Sequence, residues 1–197
     1  MTDSAAPDWP WAAHRALALA AECYETPEWA VEAILDVELM TALVVDPCCG
    51  RGVLAEAAAE RGHRVAAFDL YDWGYGNSPV DFLTWQFADE PAPWTCLMNP
   101  PFTQAAAFAE HAFAQGARKV LLFQRLALWQ SRRRRAFWAA HPPSRIYVCE
   151  SRAECWRVDI APAARQGGHK RPHAWFVFER DHPAGTLMGR LRKPEQK

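Results

Sequence analysis

One segment of this sequence places an acid and two glycines directly after a predicted strand. Asp46-Pro-Cys-Cys-Gly50-Arg-Gly52 follows the apolar run of residues 42–46 and precedes an alanine-rich stretch. Glycine lets the backbone approach a ligand closely and adopt positive φ. Neither GxGxxG spacing nor a following GK[ST] is present, so the segment does not indicate phosphate binding. A strand-end acid before a glycine turn instead suits a ligand with an amino-acid end and a nucleoside end.

A second acid, Asp69, follows the next predicted strand at residues 64–68. In dinucleotide-binding folds, a carboxylate at this point accepts hydrogen bonds from the two ribose hydroxyls. The alternative is an ordinary strand-to-helix turn followed by an unrelated exposed acid. The residues alone leave both interpretations open.

A third segment, Asn99-Pro100-Pro101-Phe102, follows the apolar run of residues 94–98. Two consecutive prolines fix the backbone and remove two N–H donors. The Asn99 side-chain oxygen and the Pro100 carbonyl could therefore accept the two N–H groups of an exocyclic amino group, with its planar ring on Phe102. The alternative is a rigid turn with a buried phenylalanine.

Strands and helices alternate along the part of the chain that carries these segments. Predicted strands are residues 42–46, 64–68, 94–98, 119–123, 145–149 and 174–179, with residues 80–83 a further short strand inside a loop. Predicted helices are residues 11–23, 27–39 with Thr26 as N-cap, 53–61, 103–115 and 130–139. This pattern predicts an α/β sandwich with a mainly parallel sheet. Because ligands bind beyond the carboxyl ends of such strands, all three segments are expected at one edge.

The charge is divided unevenly over the 197 residues. The net charge is −1, but residues 1–117 carry 4 basic and 17 acidic residues, and residues 118–197 carry 18 basic and 6 acidic residues. The second part is therefore a candidate basic face for a polyanion. No apolar run is long enough to span a membrane, and no signal peptide is evident at the start. The six cysteines show no metal-site spacing, so we expect reduced thiols in the cytoplasm and no metal.

Over residues 22–180, the chain resembles class I S-adenosylmethionine-dependent methyltransferases of the DNA N6-adenine type. It is most similar to the small phage-encoded adenine methyltransferases. The DPxxGxG segment followed by Asn-Pro-Pro-Phe carries the resemblance. It is supported by the segments Tyr24–Trp29, Val80–Leu83 and His173–Phe178, the last of which resembles the family's closing strand. The resemblance implies a Rossmann-like sandwich whose C-terminal strand is antiparallel.

The resemblance also implies roles for individual residues. The methionine part of S-adenosyl-L-methionine would be held by Asp46 and the Pro47–Gly52 turn, with help from Thr26, and the ribose by Asp69. Its adenine would contact Leu70, Asp81 and Phe82. The complete set implied to bind this cofactor is Tyr24, Thr26, Asp46, Pro47, Cys48, Gly50, Gly52, Asp69, Leu70, Asp81 and Phe82. Asn99, Pro100, Pro101 and Phe102 would form the pocket for a target adenine flipped out of DNA.

Two features depart from the family pattern. Cys48 and Cys49 replace the usual aromatic or small residues, and both are small enough to fit. The recognition region is short, because only residues 125–172 remain to contact DNA. Its densest charge run, Arg132–Arg135, would bind phosphates, and the alternative is a solvated helix face.

The sequence therefore predicts a DNA adenine-N6 methyltransferase. The alternatives are an amino-methyltransferase acting on RNA or protein glutamine, and a non-catalytic nucleic-acid-binding module. The predicted organisation is a helical extension at residues 1–23, a methyltransferase domain at 24–182 and a tail at 183–197. Neither the target sequence nor the oligomeric state follows from the residues.

Overall fold

The sheet at the centre of the molecule contains strands from most of the chain. The computed structural model describes residues 15–87, 92–165, 171–183 and 185–194. The strands are β1 (Tyr24–Glu25), β2 (Leu43–Asp46), β3 (Arg64–Ala67), β4 (Trp94–Met98), β5 (Lys119–Arg125), β6 (Arg145–Cys149), β7 (Trp156–Arg157), β8 (His173–Glu179) and β9 (Leu187–Leu191). The helices are α1 (Arg15–Ala20), α2 (Glu28–Leu35), α3 (Val53–Glu60), α4 (Ala105–Ala114) and α5 (Arg135–Ala140).

Seven of these strands form one sheet in the order β3-β2-β4-β5-β8-β6-β9. Strand β8 is antiparallel to β5 and to β6, and the other neighbours are parallel. Strands β1 and β7 form a separate antiparallel pair. The predicted α/β class, with a mainly parallel sheet and an antiparallel strand near the C-terminus, is confirmed.

Helices cover both faces of the sheet, which explains why its central strands are predominantly apolar and buried. Every residue of β2 and β4 is buried. Successive side chains of a strand point to opposite faces. Thus Val44 packs with α2 and α3, whereas Val45 packs with the face that α4 and Phe137 of α5 cover. The carboxyl ends of β2, β3 and β4 lie together on one side of the sheet. We call this side the carboxyl edge, a name that refers to the strand ends and not to the outermost strands β3 and β9.

The predicted strand at residues 80–83 is wrong. Residues 82–84 form a turn, with the Asp81 Oδ1 atom accepting a hydrogen bond from the Leu83 N–H. The run is apolar because Phe82 is 1% exposed and packs against Phe108, with 5.3 Å between ring centroids. Burial of a single side chain in a turn thus produced a pattern that resembled a strand.

The chain after Pro183 also differs from the prediction of a tail. Residues 187–191 form β9, which pairs with β6 in parallel and is the outermost strand of the sheet. Leu187 and Met188 are exposed, so the strand lacks the apolar pattern that would have indicated it. A Cβ atom at Gly189 would lie 2.9 Å from the Tyr147 ring, so the absence of a side chain permits this close pairing.

Other observed helix boundaries differ from the predicted ones by a few residues. Helix α2 ends at Leu35 rather than 39, and the Thr26 side chain does not cap it. The predicted helix at 130–139 is a 3-10 turn at Arg132–Arg134 followed by α5. The predicted helix 11–23 is described only from Arg15, because residues 1–14 lie outside the described part.

The opposite edge of the sheet, which we call the amino edge, carries a buried ionic network. The Glu38 side chain is 3% exposed. Its carboxylate accepts hydrogen bonds from the Arg145 guanidinium, from Lys119 Nζ at 2.9 Å and from the Tyr147 hydroxyl at 2.9 Å. Glu179 accepts from Arg145 at 3.0 and 3.2 Å and pairs with Lys119. Every carboxylate oxygen of this network therefore has a cationic partner.

Candidate active site

A cavity of about 460 Å³ opens at the carboxyl edge. This volume is within the range of sites that hold small molecules and cofactors. Its lining includes residues from all three predicted segments: Pro47, Cys48, Asp69, Leu70, Asp81, Phe82, Asn99 and Pro101. Eight predicted site residues that are distant in the sequence therefore line one cavity.

Asp46 ends β2 and is 1% exposed. Its Oδ1 atom accepts a hydrogen bond from the Cys48 N–H at 3.3 Å, whereas its Oδ2 atom has no hydrogen-bond partner within the described part of the chain. Burial raises the pKa of this carboxyl, and the nearby Asp69 raises it further. A buried carboxylate oxygen without a donor is costly, and a ligand that brings a cationic N–H group would relieve that cost.

Asp69 is also buried, at 6% exposure, so the alternative of an unrelated exposed acid does not apply. Its Oδ2 atom accepts from the Gly50 N–H at 3.0 Å, and its Oδ1 atom accepts from the Tyr71 N–H and the Trp73 indole. Burial raises its pKa, and these hydrogen bonds oppose the shift. A carboxylate accepts about four hydrogen bonds. Asp69 therefore holds the glycine turn in place and has less acceptor capacity left than two ribose hydroxyls require.

The two glycines of the turn both have positive φ, at +53° for Gly50 and +92° for Gly52. A Cβ atom at Gly52 would lie 2.6 Å from the Tyr75 ring, so Tyr75 packs directly on this glycine. Gly52 is thus needed for packing of the loop that follows Asp69. Neither glycine is part of the cavity lining, and their predicted contact with a cofactor stays a prediction.

Leu70, Asp81 and Phe82 form one side of the cavity. Leu70 is 45% exposed and offers an apolar surface to a planar group. Asp81 is exposed, and its Oδ1 atom accepts from Leu83 while Oδ2 is available to a donor. Cys48 also lines the cavity, and burial raises the pKa of its thiol, so it is a neutral group.

The Asn99 side chain is oriented by two neighbours from the β1 segment. Its Nδ2 atom donates to the Tyr24 carbonyl at 2.9 Å and to the Thr26 hydroxyl at 3.0 Å. Because the Tyr24 carbonyl can only accept, the NH₂ end of the amide must face it. The Asn99 Oδ1 atom is left as an acceptor beside the cavity. Tyr24 and Thr26 therefore contribute by fixing Asn99, although neither lines the cavity itself.

A smaller cavity next to the first is lined by Asn99, Pro100 and Phe102. The rest of its lining is Glu22, Tyr24, Cys155 and Arg171, with Gln124 and Arg125 of β5 and His173 of β8. The Pro100 carbonyl, which the sequence predicts as an acceptor for an amino group, already accepts a hydrogen bond from Gln124 Nε2 at 2.7 Å. The Arg125 guanidinium lies over the Phe102 ring, 3.9 Å from its centroid. One face of that ring is therefore occupied by a cation.

The arginine run Arg132–Arg135 lies near the same segment. Arg134 donates from Nη2 to the Phe102 carbonyl at 2.9 Å. Arg132, Arg133 and Arg135 are exposed and form no ion pair with any described residue. Three cationic side chains are thus free to contact an anion beside the Asn-Pro-Pro-Phe turn.

Several residues at the site were not predicted. Ala21, Glu22 and Cys23 line the larger cavity, and Glu22 accepts hydrogen bonds from the Thr103 N–H and hydroxyl. Gln124 was missed because the predicted strand ended at residue 123, although a polar residue at a strand end is itself a signal. The contacts of Glu22 depend on tertiary structure and carry no such signal.

Within the described residues, no three His, Cys, Asp or Glu side chains form a group that could hold a metal ion. His169, which the sequence places four residues before His173, lies outside these residues. The helices of the described chain include none that is long and apolar enough to cross a membrane.

No protein-family model and no curated protein sequence matches this chain. Solved structures do match, at low sequence identity. A candidate RNA methyltransferase from Pyrococcus horikoshii superposes with a TM-score of 0.58 at 16% identity, over 82% of this chain and 88% of that one. A modification subunit of a candidate type I restriction enzyme from Vibrio vulnificus gives 0.59 at 14% identity, over 88% of this chain and 48% of that one.

The 23S rRNA methyltransferase ErmE gives a TM-score of 0.53 at 13% identity, over 82% of this chain and 71% of that one. The protein thus has the Rossmann-like fold that these methyltransferases share. The names of these similar proteins refer to different nucleic acids. The structural similarity therefore does not indicate which substrate this protein uses.

Proposed function

We propose that this protein transfers a methyl group from S-adenosyl-L-methionine to the exocyclic N6 amino group of adenine in DNA. The observation that carries the proposal is the orientation of Asn99. Its NH₂ group is held by Tyr24 and Thr26, so its oxygen is presented as an acceptor where two cavities meet. An acceptor in a proline-fixed turn suits a planar amino group.

The larger cavity fits S-adenosyl-L-methionine. Asp46 does not line this cavity, but it lies one residue before Pro47, which does, and its buried Oδ2 atom has no partner among the described residues. That atom suits the cationic amino group of the methionine part. Asp69 would accept from a ribose hydroxyl, and Asp81 from the adenine amino group beside Leu70 and Phe82. When bound, this cofactor supplies an electrophilic methyl group on a sulfonium sulfur.

Asn99 would act on the target nitrogen. The N6 lone pair of adenine is delocalised into the ring, which makes the nitrogen a poor nucleophile. A hydrogen bond from N6 to Asn99 Oδ1 favours a more tetrahedral nitrogen and stabilises the positive charge that develops on it. Because Asn99 is held in place before the target arrives, little reorganisation is needed.

The arginine run would hold the nucleic acid. Arg132, Arg133 and Arg135 are exposed and unpaired among the described residues, and Arg134 places the run beside Phe102. Arginines of this kind bind backbone phosphates and position the nucleic acid, but they do not recognise its base sequence. An adenine in a duplex would have to be flipped out to reach Asn99.

The test is transfer of labelled methyl groups from S-adenosylmethionine to unmethylated duplex DNA, digested to nucleosides and resolved by mass. We expect N6-methyladenine with the wild type and a loss of at least about a hundredfold with Asn99→Ala. Asn77→Ala, which changes the other asparagine of the chain at an exposed position, is the matched control and should retain activity.

Two outcomes would contradict the proposal in different ways. Bound S-adenosylmethionine without label in DNA would redirect the substrate to RNA or to glutamine in protein. Absence of both binding and transfer would favour a non-catalytic nucleic-acid-binding module.

A further inference from the structure

Gln124 is a buried polar residue at the carboxyl end of β5, and nothing above assigns it a role in the reaction. It is 1% exposed. Its Nε2 atom donates to the Pro100 carbonyl at 2.7 Å, and its Oε1 atom has no hydrogen-bond partner among the residues that the structure describes. Buried side-chain acceptors without a donor are uncommon, and each one needs an explanation.

The orientation of this amide is fixed by its neighbour. The Pro100 carbonyl has no proton to donate, so the NH₂ end of Gln124 must face it, and the reversed amide would bring two acceptors together. The Oε1 atom is thus kept as an acceptor. Gln124 lines the smaller cavity together with Asn99, Pro100 and Phe102.

Two of the polar side chains that line this cavity, His173 and Arg125, have contacts elsewhere. The His173 Nε2 atom lies 3.6 Å from the Cys155 sulfur, and its Nδ1 atom lies 2.9 Å from the Arg171 carbonyl. The Arg125 guanidinium stacks on Phe102. Neither of them reaches Gln124 Oε1 within hydrogen-bond distance. A donor brought by a ligand would satisfy this atom.

We propose that Gln124 Oε1 accepts the second N–H of the target amino group, a proposal that rests on the function proposed above. An exocyclic amino group has two N–H donors. Asn99 Oδ1 would accept one, and Gln124 Oε1, a buried acceptor of the same cavity that lacks a partner among the described residues, would accept the other. The Pro100 carbonyl accepts from Gln124 Nε2 and keeps one free lone pair. Gln124 then has two functions, since its NH₂ group holds Pro100 while its oxygen binds the substrate.

This contact acts on the transfer step itself. The target nitrogen forms a bond to the methyl carbon while the carbon–sulfur bond breaks, with its electron pair going to sulfur. The nitrogen is then positively charged and carries two N–H groups, whose hydrogen bonds to Asn99 and Gln124 strengthen. It finally releases one proton to water. Gln124 therefore stabilises the transition state more than the bound substrate.

The test compares Gln124→Met, which has similar length and no hydrogen-bonding amide, with the wild type. We expect kcat for methyl transfer to fall about a hundredfold. The affinity for S-adenosylmethionine, measured by calorimetry, should stay within about twofold, because Gln124 does not line the larger cavity. Gln86→Met, at an exposed glutamine, is the matched control and should transfer at the wild-type rate.

Gln124→Glu gives a second, independent test. A protonated glutamic acid can donate to Pro100 and accept from the target, whereas its carboxylate can only accept and is repelled by the Pro100 carbonyl. Its rate relative to wild type should therefore rise as the pH is lowered. A wild-type kcat in Gln124→Met, or a relative rate in Gln124→Glu that does not change with pH, would overturn the role of Gln124. Absence of transfer by the wild type would instead overturn the proposed function.

Discussion

Carboxylates are buried at both the amino edge and the carboxyl edge of the sheet, but their hydrogen-bond partners differ. At the amino edge, Glu38 is surrounded by Arg145, Lys119 and Tyr147. Burial opposes ionisation of Glu38, but these hydrogen bonds outweigh it and lower its pKa. At the carboxyl edge, burial raises the pKa of Asp46, and no cation of the described residues reverses the shift.

The difference indicates which edge serves stability and which serves binding. Three buried side-chain polar atoms of the described residues lack a partner: Asp46 Oδ2, Gln124 Oε1 and Trp138 Nε1. The first two lie at the carboxyl edge, and none belongs to the network of the amino edge. A site that must bind a ligand keeps its acceptors vacant, and the free protein is less stable as a result.

The largest expected effect on stability is at the amino edge. Removing one partner of a buried ion pair leaves the other charge uncompensated. We expect Glu38→Ala to lower the free energy of unfolding by about 3 kcal/mol, measured by urea denaturation. Glu32→Ala is the control, because Glu32 pairs with Arg61 at 45% side-chain exposure and should contribute under about 1 kcal/mol. Equal effects of the two substitutions would remove the distinction between the edges.

The same network predicts the response to acid. The hydrogen bonds from Arg145 lower the pKa of Glu179 from 4.5 to about 2. A carboxyl with a lowered pKa in the folded protein stabilises it above the unfolded pKa, and this contribution is lost as the pH falls from about 5 towards 2. Asp46 has a raised pKa and contributes in the opposite direction.

We therefore expect wild-type stability to fall between pH 5 and pH 3, and Glu179→Gln to flatten this fall. Urea denaturation across that range measures both. An unchanged slope in Glu179→Gln would show that the amino edge does not control acid stability.

The smallest effect concerns the exposed arginines near the site. Replacing Arg132, Arg133 and Arg135 by alanine should weaken DNA binding and reduce the slope of log affinity against log salt by about 2 to 3. Stability should hardly change, because the three side chains are exposed. Arg64 and Arg118, exposed at the amino edge, provide the control double variant. A similar loss of slope in the control would mean that binding is not confined to the carboxyl edge.

Local patterns explain which parts could be predicted. Strands β2 and β4 are predominantly apolar because both of their faces are covered, and the segments after them are unusual enough to mark the site. Strand β9 could not be predicted, since it depends on pairing with β6 and on the close approach of Gly189 to Tyr147. The orientation of Asn99 by Thr26 also depends on contacts between residues 73 positions apart.

The most direct test of the contrast between the edges is the stability of Asp46→Asn with and without S-adenosylmethionine. Without ligand, we expect the variant to be at least as stable as the wild type, because it removes a buried carboxylate that lacks a partner and retains the acceptor for Cys48. Ligand at 100 times its dissociation constant should stabilise the wild type by roughly 2.7 kcal/mol, and the same concentration should stabilise the variant by much less. A variant that is less stable without ligand and equally stabilised by it would contradict the assignment of Asp46 to binding.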